Sequence, residues 1–546
     1  MNKIAHYLQE HLSGEVMTNQ EALEYFSTDA SILRLTPSIV VYPRNENDIR
    51  KTTRFTWQLA ERGRVIPLTA RGSGTDQSGA ALGSGIVMIF PAHMHRVLDL
   101  DGKTGTVTIE PGINYGTLQQ TLHTHGRFLP PYPASKEYST VGGAISNNAA
   151  GEKTIKYGNT RDYVKSLRVV LANGEVIETR RISKKELNKK LGLATFEGEI
   201  YRSLDVLIEE NKAVLSTLAP KVTKNSSGYA LDLVKRKDGS FDLTPLIVGS
   251  QGTLGVVSEA VLGTEPHNPK TTLIVAFFDD LVVAEAVLLE LEKISDTPSA
   301  IEAVDGNLLK LVKSKNPNLL KGVIDSTLPK LVLLVEFDNT SDRIQKNLAK
   351  RVEKIMASQQ ITCQIETDPA EQEKLWSIRR MSATIAASVD ANGAKALPMI
   401  EDGIVPLARF KDYMHGVYAM FERYGLEAAA WGHAGNANLH MQPFLNLSQI
   451  GDRQKVFKLL DEYYELVLSM GGSTTAEHGD GRIRGPYLPK MFQPEEYELF
   501  QKTKQIFDPY GTLNPGVKID VKIEDIKPLL RHEYSTAHWL QHMPHN

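Results

Sequence analysis

The sequence predicts an α+β protein of two or three domains, and three observations carry that prediction. Short β-rich runs alternate with Gly-rich turns and interspersed helices up to about Thr264. Two strand-helix-strand units of similar length follow Pro266, and a further portion from Trp376 onward holds nearly all the His and Glu that could do chemistry. At 546 residues and 41% apolar, the chain is about three times a typical domain and can bury more than one core. No solenoid-period repeat and no low-complexity segment interrupts it.

In order, the first block reads as strands at IVVYP near Ile39, RVIPLTA near Val65, GIVMIF near Ile86, TVTIEPG near Val107 and LRVVLANGEVI near Leu167. The last run passes through Asn173 and Gly174, a pair that favours a tight hairpin because both residues tolerate positive φ. Helices are expected at 46–61 and 201–218. Beyond Pro266 come a strand at TTLIVAFF, an amphipathic helix at 281–294, a strand at KLVLLVEF, a long charged helix at 341–358 and a strand at ITCQIE.

Composition excludes several functions. Lys plus Arg number 62 against 65 for Asp plus Glu, so a net charge of -3 creates no field that would draw in nucleic acid. A single cysteine, Cys363, excludes internal disulfides, a multi-cysteine zinc site and an iron-sulfur cluster held by four thiolates of the chain. Any metal must use His and carboxylate ligands, and any redox chemistry needs an organic cofactor. Residues 1–10 lack the apolar run of a signal peptide, and nothing approaches the roughly 20 apolar residues of a membrane span, so a cytoplasmic protein is expected. The tail at 527–546, with Leu529, Leu530, Trp539 and Leu540, reads either as a peripheral membrane contact or as an ordinary docked tail helix.

Two glycine clusters suggest a phosphate-bearing cofactor. Arg71-Gly72-Ser73-Gly74-Thr75-Asp76-Gln77-Ser78-Gly79 follows VIPLTA directly, so a strand runs into a turn where backbone amides can converge on a pyrophosphate; a surface turn is the alternative. The dinucleotide fingerprint is absent, since Gln77 occupies the sixth position from Gly72, which counts against a nicotinamide cofactor. The second cluster, TVGGAISNNAAG at 140–151, follows the proline-dense LPPYPAS at 129–135, where prolines fix the approach and glycines permit close contact.

LTARGSG, TVGGAISNNAAG and KYGNTRD at 156–162, with STDAS at 27–31 and VGSQGTLGVV at 248–257, resemble the FAD-binding domain of the vanillyl-alcohol oxidase and p-cresol methylhydroxylase (PCMH) superfamily. The resemblance implies a two-subdomain PCMH-type FAD-binding domain at 1–264 and an α+β substrate-cap domain at 265–375. It also implies a C-terminal catalytic and metal-site segment of the cap at 376–520, returning to the flavin, and a tail at 521–546. By the same resemblance Arg71, Gly72, Ser73, Gly74, Thr75, Asp76, Ser78 and Gly79 hold the FAD pyrophosphate. Pro111, Ser135, Thr140, Gly142, Gly143, Asn148 and Gly151 lie beside the cofactor, and Gly255 with Val257 touches it through backbone. Covalently flavinylated relatives carry a histidine where this chain has Thr75, so a non-covalent flavin is expected.

Trp431-Gly432-His433-Ala434-Gly435-Asn436-Ala437-Asn438-Leu439-His440 places two histidines either side of a small-residue turn, and paired flanking strands would let the imidazoles face one another. Ala476-Glu477-His478-Gly479-Asp480-Gly481-Arg482 adds a carboxylate and a further histidine. Two His and one carboxylate can hold a divalent ion and leave positions open for a substrate, although any one of them read alone is an ordinary core or surface group. The pattern GHxGxxNxH with EHGxGR resembles the metal-dependent D-2-hydroxyacid dehydrogenases of the superfamily, the D-lactate, D-2-hydroxyglutarate and glycolate group. That implies His433, His440 and Glu477 as ligands of Zn, Mn or Fe and His478 as the base; Ala437 and Asp480 depart from the commonest motif residues at non-ligand positions. A chelated 2-hydroxy acid has a lowered hydroxyl pKa, and an unperturbed imidazole near 6.5, roughly, suits its proton while hydride leaves for the flavin.

Trp376-Ser377-Ile378-Arg379 resembles the family's WxxR segment, whose Arg pairs with the substrate carboxylate, which favours Arg379 over Arg380; the alternative is an exposed helix Arg paired with a nearby Glu. Ala383 offers no hydrogen bond where some relatives carry a hydroxyl, Gln442 stands where relatives often have Asn that donates to substrate, and FDP at 507–509 with NPGVK at 514–518 resembles motifs that return Asn514 and Lys518 to the flavin. The expected activity is oxidation of a small D-2-hydroxy acid, with electrons leaving to an external quinone, electron-transfer protein or cytochrome; an oligomer is left open. The rivals are a metal-independent flavin oxidase of a sugar or phenol, a zinc hydrolase, and a non-catalytic flavin-binding subunit.

Overall fold

A computed structural model describes residues 3–535 apart from 219, 323, 325, 326, 381 and 383–392. Two sheets are built entirely before Thr264 and a third entirely after it. The first orders Glu15–Met17, Ile39–Tyr42, Ile86–Ile89 and Leu68–Arg71, with Ile86–Ile89 parallel to both neighbours. A strand flanked on both sides in a parallel sheet is covered on both faces, which is why GIVMIF reads as a continuous apolar run and is buried throughout. The second sheet orders Val97–Asp101, Thr106–Ile109, Val256–Gly263, Val164–Val170 and Val176–Thr179, all antiparallel. Its Val164–Val170 to Val176–Thr179 hairpin closes at Gly174 with φ +84°, in the turn signalled by the Asn-Gly pair.

The third sheet has seven antiparallel strands in the order Cys363–Glu366, Thr272–Phe278, Leu331–Phe337, Ala300–Asp305, Ala428–His433, Asn438–Leu445 and Lys395–Ala396. Both candidate-site histidine strands therefore extend the sheet begun after Pro266. Leu281–Glu292 and Asp342–Ser358 cover one face with Leu288, Leu291, Val352 and Met356. The expected helices are present, except that 201–218 begins earlier, as Phe196–Glu210 capped by Thr195, and restarts as Lys212–Leu215. Ala300–Asp305, not anticipated as a strand, lies in the middle of the sheet and is buried at every position.

The chain then returns to its beginning. Leu68 N–H donates to Thr512 O at 2.8 Å and Asn514 N–H to Leu68 O at 2.8 Å, so residues 512–514 extend the first sheet beside the glycine loop. Leu530 bridges to Leu33, Arg531 donates to Leu33 O and Asp29 O, and the Tyr534 hydroxyl donates to Ala30 O. Leu529 and Leu530 are thus docked on the first domain, while Trp539 and Leu540 lie outside the described residues, as does Ala383. Among the described residues no helix is long and apolar enough to cross a membrane.

Candidate functional site

A cavity of about 540 Å³ opens where the glycine loops of the first domain face the third sheet. Of the predicted cofactor residues, Arg71, Gly72, Ser73, Gly74, Thr75 and Asp76 line it from the first loop. Pro111, Ser135, Thr140, Gly142 and Gly143 line it from the second, and Gly255 and Val257 from a third segment. The helix Val141–Asn147 starts there because the Thr140 hydroxyl accepts from Gly143 N–H at 3.2 Å. Glycine is required at 72 and 142 for space: a Cβ would meet Thr140 Oγ1 at 2.2 Å or Pro111 Cβ at 2.6 Å. The backbone of both loops can therefore reach the cavity. Arg71 Nε, Gln77 Oε1 and Ser139 Oγ are buried on this wall with no hydrogen-bond partner among the described residues, an arrangement suited to a large polar cofactor.

Six predicted cofactor residues stand behind the wall. Ser78 O accepts from Arg482 and Ile483 N–H, and Gly79, at φ +81°, packs on Leu33. Asn148 accepts from Arg161 N–H, and Gly151 sits where a Cβ would meet Tyr132 O at 1.9 Å. Asn514 donates to Ala80 O at 2.9 Å and Gln251 O at 2.7 Å and accepts from Thr69 Oγ1 at 2.9 Å. Lys518 is fully buried against Asp480 at 2.6 Å. These positions support the lining without reaching it. Gln251, not singled out in the sequence, joins both loops to the 477–481 turn: its Nε2 donates to Ser78 Oγ and Asn147 Oδ1, and its Oε1 accepts from Gly481 N–H.

On the opposite wall, the strands Ala428–His433 and Asn438–Leu445 pair with Trp431 opposite His440, and the turn between them closes with Ala437 at φ +51°. The three predicted metal ligands come together, with ligand atoms of His433, His440 and Glu477 all within 4.8 Å of one another and all three residues buried. Glu477 Oε1 lies 2.9 Å from His433 Nε2 and 3.5 Å from His440 Nε2. The other ring nitrogens face carboxylates, His433 Nδ1 at 2.6 Å from Glu302 and His440 Nδ1 at 3.1 Å from Glu401. Carboxylates behind the rings can take the Nδ1 protons, which would leave both Nε2 atoms to face a cation beside Glu477, as metal-binding imidazoles are oriented. Lys224 pairs with Glu477 Oε2, leaving Oε1 for the ligand cluster. The donor set, two imidazoles and a carboxylate oxygen, fits a divalent cation.

A second grouping, Glu401, Asp402, His440 and His478, shares His440. Its carboxylates are already engaged: Glu401 with the fully buried Arg484, and Asp402 Oδ2 with the N–H groups of Glu477 at 3.1 Å and His478 at 2.8 Å and with the Thr475 hydroxyl. Asp402 is thus the brace of the 475–478 turn, and Glu401 is the anion behind two imidazoles. Neither was singled out in the sequence; the only signal is an adjacent acid pair after the apolar LPMI.

His478 Nε2 lies 3.8 Å from Glu477 Oε1, and its ring stacks on His440 at 5.1 Å. Its Nδ1 is 2.7 Å from Glu401 Oε2, an ion-pair contact that is not aligned as a hydrogen bond. The expectation of an unperturbed imidazole is corrected here. Burial favours the neutral ring, but Glu401 and Asp402 outweigh it and raise His478 to about 10. Burial likewise opposes charge on Glu401, and His478 and Arg484 outweigh it, holding that carboxyl well below the usual range.

Arg379 and Gln442 both line the cavity. Gln442 is two residues beyond His440 on one strand and so shares its face. Arg379 is buried, with Nε donating to Glu302 Oε2 at 2.7 Å; the exposed, Glu-paired arginine is Arg380, whose Nη1 meets Glu373 at 2.9 Å.

The class defined by these two walls is a flavoprotein, and comparison with known proteins agrees. The FAD binding domain profile matches residues 37–180, and the profile of the C-terminal domain of FAD linked oxidases matches residues 267–517. The chain is 29% identical to a D-2-hydroxyglutarate dehydrogenase of Pantoea ananatis, over 93% of this chain and 51% of that one. It is 27% identical to glycolate oxidase subunit GlcD of Bacillus subtilis, over 88% of each, and 26% identical to a D-lactate dehydrogenase of Archaeoglobus fulgidus, over 88% and 90%. It spans about half the length of the D-2-hydroxyglutarate dehydrogenases it matches. Among solved structures, 4-ethylphenol oxidase from Gulosibacter chungangensis shares the fold, with a TM-score of 0.67 at 15% identity over 95% of this chain and 97% of that one. The chain belongs to the FAD-linked oxidases, with a PCMH-type FAD-binding domain followed by the oxidase C-terminal domain.

Proposed function

We propose that this protein oxidises a D-2-hydroxy acid to the 2-oxo acid, with non-covalently held FAD accepting hydride and a divalent cation held by His433, His440 and Glu477. The observation that carries this reading is that one carboxylate oxygen, Glu477 Oε1, faces both imidazole Nε2 atoms in the same cavity as the glycine loops. Relatives named D-lactate dehydrogenase and glycolate oxidase subunit, matched over nearly their whole length, support it. When bound, the cation supplies Lewis acidity and positive charge beside the substrate hydroxyl, and FAD supplies the hydride acceptor.

The residues of the chain do the rest. Arg379 presents its Nη edge to the substrate carboxylate, and Gln442 adds a side-chain amide from the His440 strand. Glu401 and Asp402 favour the protonated ring of His478, so it takes the hydroxyl proton at Nε2 only once a cation held beside it, or a higher pH, has removed its own proton; Glu401 then stabilises the imidazolium that forms. Electrons then pass to an external acceptor, a quinone, an electron-transfer protein or a cytochrome.

The test is anaerobic addition of a panel of D- and L-2-hydroxy acids to the FAD-loaded protein. Bleaching of the oxidised flavin band by a D-acid, lost in His433→Ala together with bound metal, is the expected result. Unchanged turnover in His433→Ala would overturn the metal-assisted reading in favour of a metal-independent oxidase.

A further inference from the structure

Glu302 is a carboxylate in the middle of a buried strand with 1% of its surface exposed, and its two oxygens serve two different elements. Oε1 lies 2.6 Å from His433 Nδ1, on the strand Ala428–His433. Oε2 accepts from Arg379 Nε at 2.7 Å, on the helix Pro369–Arg380. Resting on the function proposed above, we infer that Glu302 is a positioning residue that couples substrate-carboxylate binding at Arg379 to metal binding at His433.

The argument is one of hydrogen-bond capacity. A carboxylate is acceptor-only, so it can take an N–H from the ring and an N–H from the guanidinium together. With Nδ1 donating to Glu302, the His433 lone pair is on Nε2, on the side of Glu477. With Nε donating to the same group, the terminal nitrogens of Arg379 remain for an anion; among the described residues the partner of Nη1 is Ser382 Oγ, at 3.4 Å. Glutamine has the same size but one accepting oxygen and one donating nitrogen, so it cannot satisfy both partners. The two jobs also compete for one charge. Arg379 drains the negative potential that Glu302 directs at His433, and an anion on the Nη edge relieves that drain. A carboxylate at Arg379 should therefore tighten the metal, and by linkage the metal should tighten the carboxylate by the same factor.

The experiment uses FAD-loaded protein stripped of metal with a chelator, then titrated with zinc by calorimetry, with and without propionate, a monocarboxylate lacking the chelating hydroxyl. In the wild type propionate should raise zinc affinity several-fold. Glu302→Gln should bind zinc about 10- to 100-fold more weakly, the usual effect of losing a carboxylate behind a metal-bound histidine, and should lose the propionate response. Arg379→Met touches none of the three ligands, so a merely structural arginine would leave zinc binding alone; here zinc should tighten several-fold and stop responding to propionate. Wild-type zinc affinity in Glu302→Gln overturns the inference, and if that variant fails to retain flavin, unchanged zinc binding in Arg379→Met does so. A wild type that binds no zinc and is not bleached by hydroxy acids overturns the functional proposal itself, which separates the two failures.

Discussion

Replacing Asn514 by leucine tests how the end of the chain holds the cofactor cavity together. Asn514 is 1% exposed and makes three hydrogen bonds, to Ala80 O, Gln251 O and Thr69 Oγ1, at 2.9, 2.7 and 2.9 Å. At about 1 kcal/mol net each, losing them costs about 3 kcal/mol, before the desolvation of two carbonyls left without a partner. The backbone there has φ +42°, which asparagine tolerates better than leucine, adding about 1 kcal/mol. Residues 80, 81 and 250–252 line the cavity, so the loss falls on the geometry that receives FAD. If all of it is felt in the cofactor-competent form, the FAD dissociation constant rises roughly 100-fold or more, at 1.4 kcal/mol per tenfold. Fluorescence titration of the apoprotein with FAD reads that change, and urea unfolding of the same apoprotein reads stability. A support behind the wall lowers both. An unchanged urea midpoint with weakened FAD binding would show that Asn514 touches the cofactor directly and would refute the structural assignment.

Glu477→Gln should lose bound metal while keeping flavin, and because it leaves the buried Lys224 without its carboxylate it should destabilise by about 3 kcal/mol; metal analysis and a thermal melt check both, and full metal content would count against the ligand set. Gly142→Ala places a methyl 2.6 Å from Pro111 on the cavity wall, so the purified protein should show a lower flavin-to-protein absorbance ratio, from an overpacking cost of about 1–3 kcal/mol; a wild-type ratio would refute it. Glu152 is largely enclosed, with 12% of its side chain exposed, which opposes its charge, but Arg380, Lys136 and Lys153 outweigh that and lower it to about 2. Its contribution, about 3 kcal/mol, is fully present above the ordinary carboxyl value near 4.5 and is lost as pH falls through about 2, so Glu152→Gln should flatten acid unfolding in that window; a parallel shift at all pH values would contradict this.

How much was legible follows from how local each signal is. The strands at Ile39, Ile86, Leu167, Thr272 and Leu331 were readable because uninterrupted apolar runs bounded by turns have few other uses. Ala300–Asp305 was not, because AIEAVD carries two acids that suggest solvent; Glu302 is buried only because Arg379 and His433 reach it from 77 and 131 residues away. The His433 and His440 pairing was visible in the hairpin spacing, whereas Glu401 and Asp402 gain their roles from side chains and N–H groups brought in by other segments. The same distance effect explains His478, whose proton affinity is raised against burial chiefly by the distant Glu401 and Asp402, with a smaller share from the adjacent Glu477. Within the glycine motifs, Gly142 and Gly151 look alike in sequence, yet one faces the cavity and the other packs on Tyr132 O.

The stitching of residues 512–534 onto residues 29–33 and 68 fixes an order of events during synthesis. Translation delivers the glycine loops well before the segments that brace them. The nascent first domain therefore emerges with its nucleotide cradle unsupported, and firm flavin binding should await synthesis of residues 512–534. Overexpression that outruns the cell's FAD supply should accumulate empty protein whose late-made segment, rather than its early one, is the part open to proteolytic nicking.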